Sequence, residues 1–201
     1  MAAMNDLVFK NWSVSDKTNT LNARLFRGVI GFSVFPKQRV PGNNQPLCSC
    51  NLDERGEGYE ALLDVIDQVL KAPLGTKIPM SRTKFDPQTR QRNTAWVISF
   101  EKDQDMCYWI TLTDCEKNAS FRFPISISQS FTYGNDPASK AQRSATGMRS
   151  LLRWLKNAYR YAPMTAEKAG PRGAGGPRST APTPAPAAPA AGGGYSDDIP
   201  F

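Results

Sequence analysis

The chain has 201 residues and a formal net charge of +7, a length that suits one folded body with its own core. It has no histidine, which removes the commonest general base and metal ligand, and no apolar run approaches the roughly 20 residues that span a membrane. Residues 164–201 hold three bases and three acids, so the whole positive excess sits on residues 1–163 and suggests a polyanionic partner.

Residues 1–36 read as strands. Leu7 and Phe9 alternate with Val8 and Lys10; Leu21, Ala23 and Leu25 alternate with Asn22, Arg24 and Phe26; Val29 to Phe35 is a β-rich run closed by Pro36. Residues 37–56, with Pro41-Gly42-Asn43-Asn44 and Pro46, read as a loop. Glu57 to Lys71 reads as an amphipathic helix, with Tyr59, Leu62, Leu63, Ile66, Val69 and Leu70 on one face and Glu60, Asp64 and Asp67 on another. An acidic outer face repels a polyanion, so this helix belongs away from any binding surface.

Residues 76–93 carry five bases (Lys77, Arg82, Lys84, Arg90 and Arg92) against the single acid Asp86. Asp86-Pro87 initiates a turn, and the segment reads as a basic β-arm or long hairpin. Three strands with period-two patterns follow. Trp96, Ile98 and Phe100 form one alternating set, Tyr108, Ile110 and Leu112 a second, and Phe121, Phe123, Ile125 and Ile127 a third. Ser139 to Tyr161 reads as a second helix stopped by Pro163. Met148, Leu151, Leu152, Leu155 and Tyr159 form its buried side, and Arg149, Arg153, Lys156 and Arg160 a basic stripe. From Met164 the composition shifts to Ala, Pro, Thr and Gly, as in a disordered linker. A tail of about 38 residues has a root-mean-square reach of about 35 Å.

The four cysteines, Cys48, Cys50, Cys107 and Cys115, lack the paired C-x2-C spacing of zinc knuckles, so free thiols are expected and no metal or cofactor. The polar N-terminus has no signal-peptide pattern, and free thiols fit a reducing cytoplasm. The acids are scattered and no phosphate-cradling G-x-x-x-x-G-K motif occurs, which argues against an enzyme. Binding single strands without reading sequence needs cations along the phosphates and flat side chains against the bases. Candidates at strand spacing are Arg24, Phe26, Arg27, Lys77, Arg82, Lys84, Phe85, Arg90, Arg92, Trp96 and Trp109, with Arg149 and Arg153 from the basic helix. For Trp96 and Trp109 a core position is the competing reading.

The chain ends Ser196-Asp197-Asp198-Ile199-Pro200-Phe201. An acidic pair, a proline-stiffened apolar pair and a terminal carboxylate on a flexible arm form a segment for capture by a partner. Asp197 to Phe201 resembles the acidic C-terminal tip of bacterial single-stranded-DNA-binding proteins. Ser196 stands where that family usually has another acid, and residues 1–163 show no match to that family's domain. The resemblance implies sequence-independent single-stranded DNA binding and protection in replication, recombination or repair. It also implies recruitment of partner proteins through Asp197, Asp198, Ile199, Pro200 and Phe201. A phage- or plasmid-encoded protein, working as a homo-oligomer in the cytoplasm of a bacterial or phage-infected cell, fits the mixture. The rival functions are a transcription cofactor that recruits RNA polymerase and a recombination annealing protein.

The expected fold is α+β and mainly antiparallel β. The resemblance favours an OB-like barrel with an added C-terminal helix, and the order of elements equally fits Whirly-like or coactivator-like repeated sheet-plus-helix units. The expected organisation is a binding domain over 1–163, a disordered linker over 164–194 and a protein-interaction tip over 195–201.

Overall fold

The computed structural model describes residues 11–26, 28–38, 45–52, 57–127, 132–133 and 136–168. By compactness the chain divides into residues 1–170 and 171–201. The second unit, with most of the expected linker and the whole of the tip, lies outside the described residues, as do Arg27 and the side chain of Phe26.

Two four-stranded antiparallel meanders carry the fold. The first consists of β1 (Trp12–Ser15), β2 (Asn19–Phe26), β3 (Val29–Pro36) and β4 (Cys48–Asn51), paired in that order. Helix α1 (Glu57–Lys71) follows. The second consists of β5 (Thr76–Asp86), β6 (Gln91–Lys102), β7 (Tyr108–Asp114) and β8 (Ala119–Ile125), again in chain order. A two-residue pair, β9 (Thr132–Tyr133) with β10 (Asp136–Pro137), leads into α2 (Lys140–Lys168). The chain is therefore α+β and mainly antiparallel, built from two sheet-plus-helix units. The favoured OB-like barrel is corrected: α1 follows a complete meander instead of bridging strands three and four, and the two sheets share no strand pairing.

The alternation expected from the sequence sets the faces. Leu21 and Ala23 of β2 lie opposite Val34 and Phe32 of β3, and all four are buried. In the second sheet, Ile98 and Phe100 pair with Leu112 and Ile110, which pair in turn with Phe121 and Phe123. The helices cross over between the units. α1 contacts β5 and β6 of the following sheet, while α2 contacts β2 and β3 as well as β7 and β8. Tyr59, Leu62, Ile66 and Val69 of α1 and Met148, Leu151, Leu155 and Ala158 of α2 join one core with both sheets.

Local chemistry fixes these elements. Glu57 and Glu60 in the first turn of α1 and Lys71 in its last turn oppose the helix dipole. Gly75, at φ 77°, turns the chain into β5. α2 opens on a reciprocal cap in which the Gln142 amide donates to Ser139 Oγ and the Ser139 amide donates to Gln142 Oε1. Ser144 ties α2 to the second sheet: its buried hydroxyl accepts from the Tyr108 amide at 2.7 Å and donates to the Ile125 carbonyl at 2.6 Å. Pro79 and Pro124 lie in β5 and β8, the edge strands, where a missing N–H breaks no interior ladder.

Three further sequence readings need correction. Tyr159, expected on the buried side of α2, is 46% exposed. Residues 48–51 form a strand within the expected loop, because Cys48 and Cys50 pair with Val34 and Phe32 and bury against the core. α2 continues past Pro163 to Lys168; a proline removes one N–H from the helical ladder, and here the remaining bonds carry the helix on.

Candidate nucleic-acid interface

The hairpin of β5 and β6 is basic, and every residue from Ser81 to Thr94 except Asp86 is exposed. Its ladder runs from Thr76–Lys102 to Asp86–Gln91, but β7 pairs with β6 only as far as Trp96–Asp114. Beyond that point the hairpin is two-stranded and projects about 17 Å at the usual strand rise of about 3.3 Å per residue. The register shifts between Arg82 and Thr83; such a bulge bends and twists a strand pair, here at the root of the arm.

The tip of the arm is well held. Asp86 Oδ1 accepts from the Gln88 amide at 2.9 Å and Asp86 Oδ2 from the Thr89 hydroxyl at 2.8 Å. These bonds, the Gln88 amide first, keep its carboxyl below the ordinary range. Arg90 completes the turn at φ 53°, a left-handed conformation that an arginine adopts at a cost of about 1 kcal/mol.

Of the cations expected from the sequence, Lys77, Arg82, Lys84, Arg90 and Arg92 are all exposed on this hairpin. Arg82 donates to the Asn51 carbonyl at 3.1 Å, joining the arm to β4. Lys84 lies 3.3 Å from Glu116, an exposed pair of little energetic weight. Phe85 is 55% exposed and sits opposite Arg92 in the ladder, so an aromatic ring and a guanidinium stand side by side near the tip. At the base of the arm, Ser49, Asn51, Arg82, Thr83, Lys84, Trp96, Asp114 and Glu116 line a cleft of about 460 Å³.

The two tryptophans resolve differently. Trp96 is 6% exposed and belongs to the core, so its expected role in base stacking is corrected. It shares its face of β6 with Ile98 and Phe100, and only part of it reaches the cleft floor. Trp109 lies on the opposite face of its strand from Tyr108, Ile110 and Leu112 and is half-buried. Its Nε1 donates to Asp103 Oδ2 at 2.7 Å, and the Arg122 guanidinium lies over its ring, 4.0 Å from the centroid. Burial alone raises the Asp103 carboxyl. The hydrogen bonds from Trp109 and from the Cys107 and Asp105 amides outweigh it and leave the carboxyl below its ordinary range. Arg122 was not among the residues expected from the sequence.

The remaining candidates lie elsewhere. Arg24 is exposed on β2 opposite Gly31. Arg149 and Arg153, with Lys156 and Arg160, are exposed along α2, as the basic stripe implies. Cys48, Cys50 and Cys107 are buried free thiols and Cys115 is exposed. No group of three metal-ligating side chains occurs among the described residues, and no described helix is long and apolar enough to cross a membrane.

No family model and no curated protein matches the chain. Among solved structures, WHY1 from Arabidopsis thaliana is similar at a TM-score of 0.36 and 12% identity, over 80% of this chain and 92% of that one. WHY3 from the same plant gives a TM-score of 0.34 and 12% identity, over 80% and 96%. The plant transcriptional regulator PBF-2 gives 0.37 and 10%, over 78% and 95%. Likeness this loose carries no argument about what the present chain does.

Proposed function

We propose that this chain binds single-stranded nucleic acid without reading its sequence and without catalysing a reaction, its partner being single-stranded DNA. The observation that carries the reading is the β5–β6 hairpin, where exposed Lys84, Arg90 and Arg92 lie on the projecting arm around the single acid Asp86, Arg82 stands at its root, and Phe85 stands open opposite Arg92. Cations at strand spacing follow a phosphate backbone, and an exposed ring accepts any base face. A duplex hides its base faces, whereas a single strand offers both features at once.

In this reading the body coats exposed strands in replication, recombination or repair. Residues 195–201 then bring partner proteins, since Asp197, Asp198, Ile199, Pro200 and Phe201 combine acid and apolar groups after a linker rich in Gly, Pro and Ala. A bacterial or phage-infected cytoplasm and a homo-oligomeric state belong to the same proposal. Fluorescence anisotropy of labelled oligo-dT, at low and high salt and with duplex competitor, tests it. Tight, salt-sensitive binding that duplex does not displace is the expected result. Equal binding to duplex makes the arm a general polyanion contact, and no binding at low salt overturns the reading.

A further inference from the structure

We infer that Arg122 is a nucleobase-stacking platform on the second sheet, with Trp109 as its fixed underlayer, apart from the arm. The inference rests on the single-strand reading above and names a second contact within it. Trp109 and Arg122 stand on adjacent strands, with Thr111 opposite Arg122, and with Glu101 and Pro124 opposite Trp109. This is the face turned away from Ile98, Phe100, Ile110, Leu112, Phe123 and Ile125.

Three contacts hold the pair in place. Asp103 anchors the indole through Nε1 at 2.7 Å. The Arg122 guanidinium covers one face of the ring at 4.0 Å, and Arg122 Nη2 donates to Glu101 Oε1 at 2.9 Å. The Arg122 side chain remains 46% exposed. A planar cation over an indole with its side chain partly exposed can take another flat group on its solvent side, and guanidinium planes accept bases in this way.

The pairing with Glu101 decides between two roles for the arginine. A phosphate contact draws on net positive charge and releases counterions. Glu101 offsets part of that charge at 2.9 Å, while the Arg122 side chain keeps 46% exposure. The same carboxylate restricts the rotamers of a long side chain, so less freedom is lost when a base settles on it. The site is thus pre-organised for stacking and less suited to salt-dependent attraction.

The test uses the full chain, oligo-dT, and an oligonucleotide of equal length and charge in which the bases are replaced by abasic sites. Wild-type binding to oligo-dT checks the parent reading by itself; its absence overturns both. Given that binding, Arg122→Ala is expected to weaken oligo-dT binding about tenfold, the loss of one stacked base. It should leave abasic binding and the salt slope unchanged. Arg122→Lys, which keeps the charge and loses the plane, should behave like the alanine variant. This second variant also keeps the test available if alanine at 122 loosens the sheet. Recovery of full affinity by lysine, a reduced salt slope in the alanine variant, or equal loss on the two oligonucleotides overturns the platform and leaves the parent reading standing.

Discussion

The arm yields the sharpest quantitative test. Lys84 faces Glu116 and Arg82 is engaged with the Asn51 carbonyl, whereas Arg90 and Arg92 have no ion-pair partner among the described residues and sit near the tip. Arg90→Gly together with Arg92→Gln removes both charges at a place where no third strand pairs. Glycine also suits the φ of 53° at position 90 better than arginine does. The variant should therefore keep its melting temperature, as exposed substitutions of this kind shift stability by about 0.5 kcal/mol or less. If each guanidinium neutralises one phosphate of a single strand, the slope of log affinity against log salt falls by about 0.7 per contact, or about 1.4 for the pair. Between about 50 and 200 mM salt the wild-type advantage over the variant then shrinks about sevenfold. Anisotropy titrations of both proteins at several salt concentrations measure this directly. An unchanged slope, or a loss of affinity equal at every salt, refutes the claim that the arm tip contacts phosphates.

Gly147 presses α2 onto the end of β8: a Cβ there would lie 3.0 Å from the backbone N and Cα of Ser126. Backbone yields less readily than a side chain, so an overpacking cost of about 2 kcal/mol outweighs the roughly 1 kcal/mol that alanine gains over glycine in a helix interior. Gly147→Ala should lose about 1 kcal/mol net and lower the melting temperature by roughly 2–4 °C, and an unchanged or raised melting temperature contradicts the close packing. Tyr59→Phe removes the buried hydroxyl that donates to the Leu155 carbonyl at 2.7 Å, and a loss of about 1 kcal/mol in chemical denaturation is expected. Deleting residues 195–201 should abolish capture of replication proteins in a pull-down. Capture that survives the deletion refutes the recruiting role.

Elements with long alternation were legible from sequence, and those that depend on cross-strand geometry were not. α1 matches the sequence reading at both ends because its apolar face repeats at helical spacing and Pro73 follows closely. β4 was missed because Cys48-Ser49-Cys50-Asn51 is too short to show a period, and its two thiols became apolar core only through pairing with β3. The arm was legible as a basic hairpin, but the bulge after Arg82 was not, since no residue type announces it. Trp96 shows how two signals compete. Its parity with Ile98 and Phe100 pointed inward, its closeness to Arg90 and Arg92 pointed to ligand, and parity prevailed. Arg122 was visible as an outward residue of β8, but its place over Trp109 and its pairing with Glu101 follow from the register of three strands at once.

The exchange of helices has a thermodynamic consequence. If each helix covered its own meander, the two units could unfold one at a time, as weakly coupled repeats do. Here α1 packs on β5 and β6, and α2 reaches back to β2 and β3, so removing either unit strips cover from the other. The Tyr59 ring stacks on Tyr159 with centroids 4.3 Å apart and donates its hydroxyl to α2, which couples the helices to each other. The body should therefore unfold as one cooperative unit. Far-ultraviolet circular dichroism and tryptophan fluorescence, with Trp12 in the first sheet and Trp96 and Trp109 in the second, should give coincident urea transitions. Separated midpoints would mean that one sheet survives without the helix contributed by the other, and the crossed packing would then not be what holds the halves together.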